Sequence, residues 1–122
     1  MTARKKPSQK QLVAKADALF SLVVRSPGVC ANCGSHDYLQ CAHGFSRRYR
    51  AVRWDEGNAW CLCRNCHFYF TGRPHEWEEW MQSRLGYEAY RDLQKRALST
   101  AAKVDLPAVL ARLIVRSNEI AA

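Results

Sequence analysis

Cys61-Leu62-Cys63-Arg64-Asn65-Cys66-His67, read together with Cys30-Ala31-Asn32-Cys33-Gly34, decides the fold of this chain. Each stretch carries a C-x-x-C pair, and the second pair begins 30 residues after the first one ends. A two-residue spacer lets a tight turn aim both sulfurs at one ion, and Gly34 suits that turn. Two pairs supply the four thiolates of a closed tetrahedral Zn²⁺ site. The expectation is a structural zinc on Cys30, Cys33, Cys63 and Cys66, with no coordination position left for water. One C-x-x-C could be a redox pair, but two in a chain with little other core favour metal. Cys41 and Cys61 are left over. They read as small buried hydrophobes, with a ligand role for Cys41 as the alternative.

Outward from these pairs, the segment from Val29 to Pro74 holds all six cysteines and three of the four histidines. It reads as a metal knuckle, a strand at 38–41, an Arg-rich loop, a strand at 59–62 and a short helix from about Asn65 to Gly72. Upstream, Ser8 and Gln11 match a capping box. Leu12, Ala16, Leu19, Phe20 and Val23 then recur at helical spacing, and Ser26-Pro27-Gly28 stops the helix. Downstream, Pro74 with Glu76, Glu78 and Glu79 opens a helical region that runs to residue 98, and Gly86 divides it. Asp105 and Pro107 start a last helix with Leu106, Val109, Leu110, Leu113 and Ile114 on one side. The expected fold is α+β in a single domain. A zinc-bound β-hairpin plus helix at 29–75 lies between an N-terminal helix at 8–26 and C-terminal helices at 76–122, preceded by a basic arm at 1–7.

Composition narrows the partners. The 122 residues are 48% hydrophobic, which excludes a disordered polyelectrolyte. The net charge of +8 points to a polyanion, with nucleic acid first and an anionic membrane second. No apolar run approaches the ~20 residues of a membrane span, and no apolar signal core follows the basic N-terminus. The expectation is a cytoplasmic protein (host cytoplasm if phage-encoded) that binds DNA and no membrane. In that compartment cysteines serve more often as ligands than as disulfides.

Between the cysteine pairs stand Gln40-Cys41-Ala42-His43-Gly44-Phe45-Ser46-Arg47-Arg48 and Arg53-Trp54-Asp55-Glu56-Gly57-Asn58. Asn58 precedes the second pair by five residues, and His67 abuts its last cysteine. Over about residues 29–75 this order resembles the HNH endonuclease family. The R-W-D-E-x-N stretch and the C-x-x-C-H run look most like the phage recombination nucleases called NinG or Rap. The resemblance implies a treble-clef or ββα-metal unit and a metal-dependent DNA endonuclease, serving phage recombination in that subfamily. It makes His43 the general base, Asn58 the residue that orients it, and His67 a ligand of a second, catalytic divalent metal (Mg, Mn, Ni or Zn). The chain departs from the pattern at Ala42, where many members carry Asp or His as another metal ligand. Cys41, Gln40, Asp37 or His75 would have to substitute.

The chemistry stands without the family name. Phosphodiester hydrolysis needs a base beside the attacking water and a cation to offset developing charge. A neutral imidazole works as base near pH 7, provided its ring is held in one orientation. Arginines at 47, 48, 50, 53, 64 and 73 surround this constellation, interleaved with Tyr49 and Trp54. Guanidiniums fork onto phosphate and aromatics stack on bases, so Arg47, Arg48, Arg50 and Arg53 are the candidate nucleic-acid contacts. Trp60, Trp77 and Trp80 read as core, and His36 as a solvated loop residue. Two other readings remain open. One is a zinc-containing DNA-binding module without catalysis, which Ala42 favours. The other is a zinc module that binds proteins. Duplex, single-stranded and branched DNA, and a protein partner, are equally open.

Overall fold

The Ser8 hydroxyl accepts from the Gln11 N–H at 3.1 Å, and the Gln11 side chain accepts from the Ser8 N–H at 2.8 Å. This box opens α1 (Gln9–Arg25) in the computed structural model, which describes residues 5–99 and 103–122. Residues 1–4 of the expected basic arm lie outside the described residues. Ala16, Phe20, Val23 and Val24 face inward from α1. Their partners are Leu106, Leu110 and Leu113 of α5 (Leu106–Ala121). The Asp105 carboxylate caps α5 by accepting from the Ala108 N–H at 3.1 Å. Burying each large apolar side chain of this pair stabilises by about 1.5–3 kcal/mol.

The sheet is a two-stranded antiparallel hairpin, β1 (Leu39–His43) and β2 (Ala59–Cys63), in register Leu39 to Cys63 and His43 to Ala59. Alternation sends the two faces of β1 to different neighbours. Cys41 packs against the α1–α5 core, and the His43 ring lies 5.5 Å from the Phe20 ring. Ala42 faces the opposite way, against Leu62 and Phe70. β2 runs directly into α2 (Arg64–Thr71), with Cys63 as the N-cap and Gly72 as the C-cap. α3 (Pro74–Leu85) and α4 (Tyr87–Leu98) follow, divided by Gly86 at φ 83°. The strands run two residues and one residue further than their sequence signal, so His43 and Cys63 end on regular backbone.

The connection between the strands is not an open loop. It holds two single-turn 3-10 helices, Arg50–Val52 and Glu56–Asn58. Val52 plugs into Leu93 and Ala97 of α4. Trp77 and Trp80 stack at 5.1 Å and meet Trp60 edge-on, so these three indoles pack as expected. Among the described residues the chain is therefore α+β, with five α-helices around one hairpin. No described helix is long and apolar enough to cross a membrane.

Candidate metal centre and histidine cleft

The four cysteines of the C-x-x-C pairs come together, with their sulfurs all within 4.8 Å of one another. Cys33 Sγ and Cys63 Sγ are 3.6 Å apart. A tetrahedron with metal–sulfur bonds near 2.3 Å spaces its sulfurs by about 3.8 Å, so the cluster fits a metal of that kind. Backbone N–H groups point at the sulfurs: Cys33 N–H to Cys30 Sγ and Cys66 N–H to Cys63 Sγ, both at 3.5 Å. Gly34, at φ 80°, lets the first knuckle turn back so that its N–H reaches the Cys30 carbonyl at 3.0 Å. Burial raises the Cys30 thiol, but the N–H groups of Cys33, Cys63 and Asn32 outweigh it and bring it to about 6. Burial and the three neighbouring thiols push Cys66 up to about 12, against a hydrogen bond from Asn32. One thiolate forms readily and the last is resisted by its neighbours, a conflict that a divalent cation relieves.

Sequence reasoning missed the support around this centre. The Asn32 amide donates to Cys66 Sγ at 3.3 Å, while Trp80 Nε1 donates to the Asn32 oxygen at 3.0 Å. The indole thus fixes which end of the amide meets the sulfur. α3 thereby braces a centre whose ligands all lie elsewhere.

His43 and His67 line a common cleft of about 670 Å³ between α1, β1 and α2, with Asp17, Arg25, Gln40 and Arg47. His43 Nε2 lies 2.9 Å from the Arg53 carbonyl. A carbonyl only accepts, so Nε2 carries the hydrogen and neutral His43 presents Nδ1 as a free base. Burial holds His43 below its ordinary 6.5; the Arg53 carbonyl opposes this and the Arg47 charge adds to it. The ring is neutral at pH 7. His67 Nδ1 is 2.7 Å from the Gln40 side-chain oxygen, which leaves Nε2 free to bind a cation. Burial lowers His67 as well.

Asn58 is 0% exposed and acts through backbone. Its oxygen accepts from the Phe45 N–H at 2.8 Å, and its amide donates to the carbonyls of Phe45 at 2.9 Å and Val52 at 3.1 Å. It fastens both ends of the loop that delivers the Arg53 carbonyl to His43. Gly44 is required beside it: a Cβ there would stand 2.7 Å from Met81 Sδ and 2.9 Å from the Asn58 oxygen.

Four expectations change. Arg53 is not a free phosphate contact. Its Nε and Nη2 donate to Asp17 at 3.1 and 2.6 Å, and Nη1 donates to the Arg47 carbonyl at 3.3 Å. Trp54 is 2% exposed with Nε1 donating to Asp17 at 2.9 Å, so it cannot stack on a base. His75 is exposed at the start of α3 and does not line the cleft with His67. Cys41 does line it, but burial pushes its thiol up to about 11, and it stays protonated among apolar neighbours. Among the described residues, the four knuckle cysteines form the only group of three or more His, Cys, Asp or Glu at ligand distance. Asp37 is exposed and Gln40 is taken up with His67. Arg47, Arg48 and Arg50 remain exposed, Arg47 with 63% of its side chain free and only a 3.8 Å approach to Asp17.

Asp17 had no signal in its own neighbourhood of sequence. It lies on α1, yet it gathers Arg53 and Trp54 and so sets the residue whose carbonyl holds His43. Burial raises its carboxyl, but hydrogen bonds and charge from Arg53, with Trp54 and Arg47, bring it below the usual range. The class defined here is an α+β protein with a four-thiol metal centre on a hairpin–helix unit and a two-histidine cleft beside it. Compared with protein-family models, with curated proteins and with solved structures, the chain matches none.

Proposed function

We propose that the protein is a metal-dependent DNA endonuclease of the HNH type, with zinc as the structural ion on Cys30, Cys33, Cys63 and Cys66. The observation that carries the reading is the Arg53 carbonyl on His43 Nε2, which leaves a neutral imidazole nitrogen free in a cationic cleft. His43 takes the proton from water as it attacks phosphorus. Asn58 and Asp17 hold the loop that orients the ring. Arg47, which lines the cleft, binds the phosphate backbone, and Arg48 and Arg50, exposed in the same connection between the strands, extend the basic surface. His67, fixed by Gln40, offers one nitrogen to a divalent cation, and Ala42 offers no second ligand. Such a sparse donor set suits an ion that keeps several waters and shares the substrate phosphate. When bound, that cation offsets charge on the phosphate and the leaving oxygen.

The test is cleavage of labelled duplex, single-stranded and branched DNA with Mg²⁺, Mn²⁺, Ni²⁺ or Zn²⁺. His43→Ala is expected to lower the rate by about 10²–10⁴-fold while zinc content and DNA affinity hold. His67→Ala is expected to lose activity that excess divalent metal partly restores. A second reading, a zinc-containing DNA-binding module without catalysis, rests on Ala42 and the single nitrogen of His67. It becomes the account if the protein binds DNA but no metal yields cleavage. A role in phage recombination belongs to the first reading and follows from the R-W-D-E-x-N resemblance alone.

A further inference from the structure

The cleft has a wall that the hairpin–helix unit does not supply. α1 contributes Asp17, Ser21 and Arg25 to it. Spacings of four residues put these three side chains on one helical face. Asp17 is neutralised by Arg53, but Arg25 is not matched by any acid. Among the described residues none of the ion pairs includes it. Its Nε donates to the Ser21 hydroxyl at 3.0 Å and to the Ser21 carbonyl at 3.2 Å. Those two bonds fix the guanidinium plane and leave both Nη groups without a protein partner among the described residues. Arg53, Arg96 and Arg116, in contrast, each fork onto carboxylates.

Arg25 and Arg47 both line the cleft, and Arg47 leans toward Asp17, eight residues before Arg25 on α1. Cys41 and His43 line it from β1. Cys41 precedes His43 by two residues on the same face of β1, a displacement of about 6.6–6.8 Å. Along α1, eight residues at about 1.5 Å each set the Arg25 backbone about 12 Å from that of Asp17, where Arg47 approaches the helix. A planar fork with both Nη groups free matches a phosphate's oxygens.

We infer that Arg25, braced by Ser21, binds a backbone phosphate of the nucleic acid flanking the one that faces His43, so that α1 forms a wall of the binding cleft. The inference rests on the nucleic-acid reading of this cleft. Nucleic acid is the ligand rather than a lone phosphate because the cleft, about 670 Å³, runs along more than two turns of α1 from Asp17 to Arg25 and along β1 from Leu39 to His43, which is more than one anion fills.

The test is DNA binding by fluorescence anisotropy, in buffer free of divalent cations, across a range of NaCl. Arg25→Gln is expected to reduce the slope of log affinity against log salt by about one. Affinity at low salt falls roughly tenfold. Arg25→Lys keeps most of the slope, because the charge remains. Ser21→Ala weakens binding less than Arg25→Gln, because the guanidinium is freed but not removed. Arg91→Gln on α4, away from the cleft, leaves slope and affinity unchanged. Thermal melting of each variant confirms folding. An unchanged slope in Arg25→Gln beside a reduced one in Arg47→Ala overturns the α1 wall and leaves the nuclease reading standing. Equal losses in Arg25→Gln and Arg91→Gln overturn it too, since the effect is then general charge. If inorganic phosphate displaces DNA beyond chloride of the same ionic strength, the site is an isolated anion pocket and the inference fails. A wild type that binds no DNA overturns this inference and the function proposed above together.

Discussion

The four-cysteine centre and the histidine cleft share the same short hairpin, yet they are held together in different ways. In the centre, four like side chains from two local turns converge, and neighbouring backbone N–H groups donate to two of the sulfurs, with the Asn32 amide reaching across from the other turn. In the cleft, each functional ring is positioned by a residue far away in sequence: His43 by Arg53, His67 by Gln40, and Arg53 in turn by Asp17, 36 residues earlier. One site depends on a bound ion for its geometry. The other depends on a chain of hydrogen bonds that crosses the fold. The difference predicts that damage to the first is global, while damage to the second is graded.

The largest effect is expected at the centre. Cys63→Ser removes one of the four thiolates while leaving a hydroxyl that still caps α2. Structural zinc sites carry apparent binding free energies of about 10–16 kcal/mol in small domains, so the variant should lose its metal and its cooperative unfolding transition. Elemental analysis with a thermal melt checks this. A metal-free variant that melts like wild type would remove the contrast between the two regions.

Asn58→Ala comes next. It strands the Phe45 N–H and carbonyl, while the Val52 carbonyl keeps its bond from the Asp55 N–H at 3.2 Å. Each unsatisfied backbone group costs about 1–3 kcal/mol, so a total loss of about 2–6 kcal/mol is expected in denaturant unfolding. The metal should stay bound, because no ligand is touched. Loss of metal at the same rate as loss of fold would show that the two regions are one cooperative unit.

Asp17→Asn sharpens the comparison further, since Asp17 belongs to neither strand of the hairpin. Its charged bonds to Arg53 are partly exposed, which limits the expected cost to about 1–2 kcal/mol. The more telling readout is His43. Nitrogen-detected NMR should show the Nε2–H resonance exchanging faster with solvent, because the Arg53 carbonyl is no longer held. Unchanged exchange would reduce Asp17 to packing.

The smallest effect is on pH. Burial lowers both His43 and His67 below 6.5, so the unfolded chain binds more protons than the folded one just under that value. The stability they supply is complete above about pH 6.5 and is lost as pH falls through their folded values. Asp17, held below 3.8, contributes stability that is present above that value and is lost on further acidification. Denaturant midpoints should therefore drop in two steps, the first near neutral acid and the second well below pH 4. Replacing His43 with Gln should shrink the first step and leave the second.

Much of the scaffold was legible along the chain. The doubled C-x-x-C, the Ser8–Gln11 box, Gly86 and the Asp105 cap each carry their instruction within a few residues, because turn geometry and helix capping are local. The strand ends, His43 and Cys63, were placed one or two residues short. Pairing across the hairpin extended them, and pairing has no local signature.

The sequence by itself determined the metal cluster, the helices and the identity of the two histidines, since spacing and residue chemistry suffice for these. Only the tertiary structure decided which arginines remain available. Arg53 and Arg47 look equivalent in sequence, but the Asp17 carboxylate, in the cleft wall of α1, claims the first and barely touches the second. The same fold buried Trp54, turned His75 away from His67, and brought Arg25 to the cleft. Charge pairing and burial act across space between segments tens of residues apart, and no local pattern in the chain records which carboxylate meets which guanidinium.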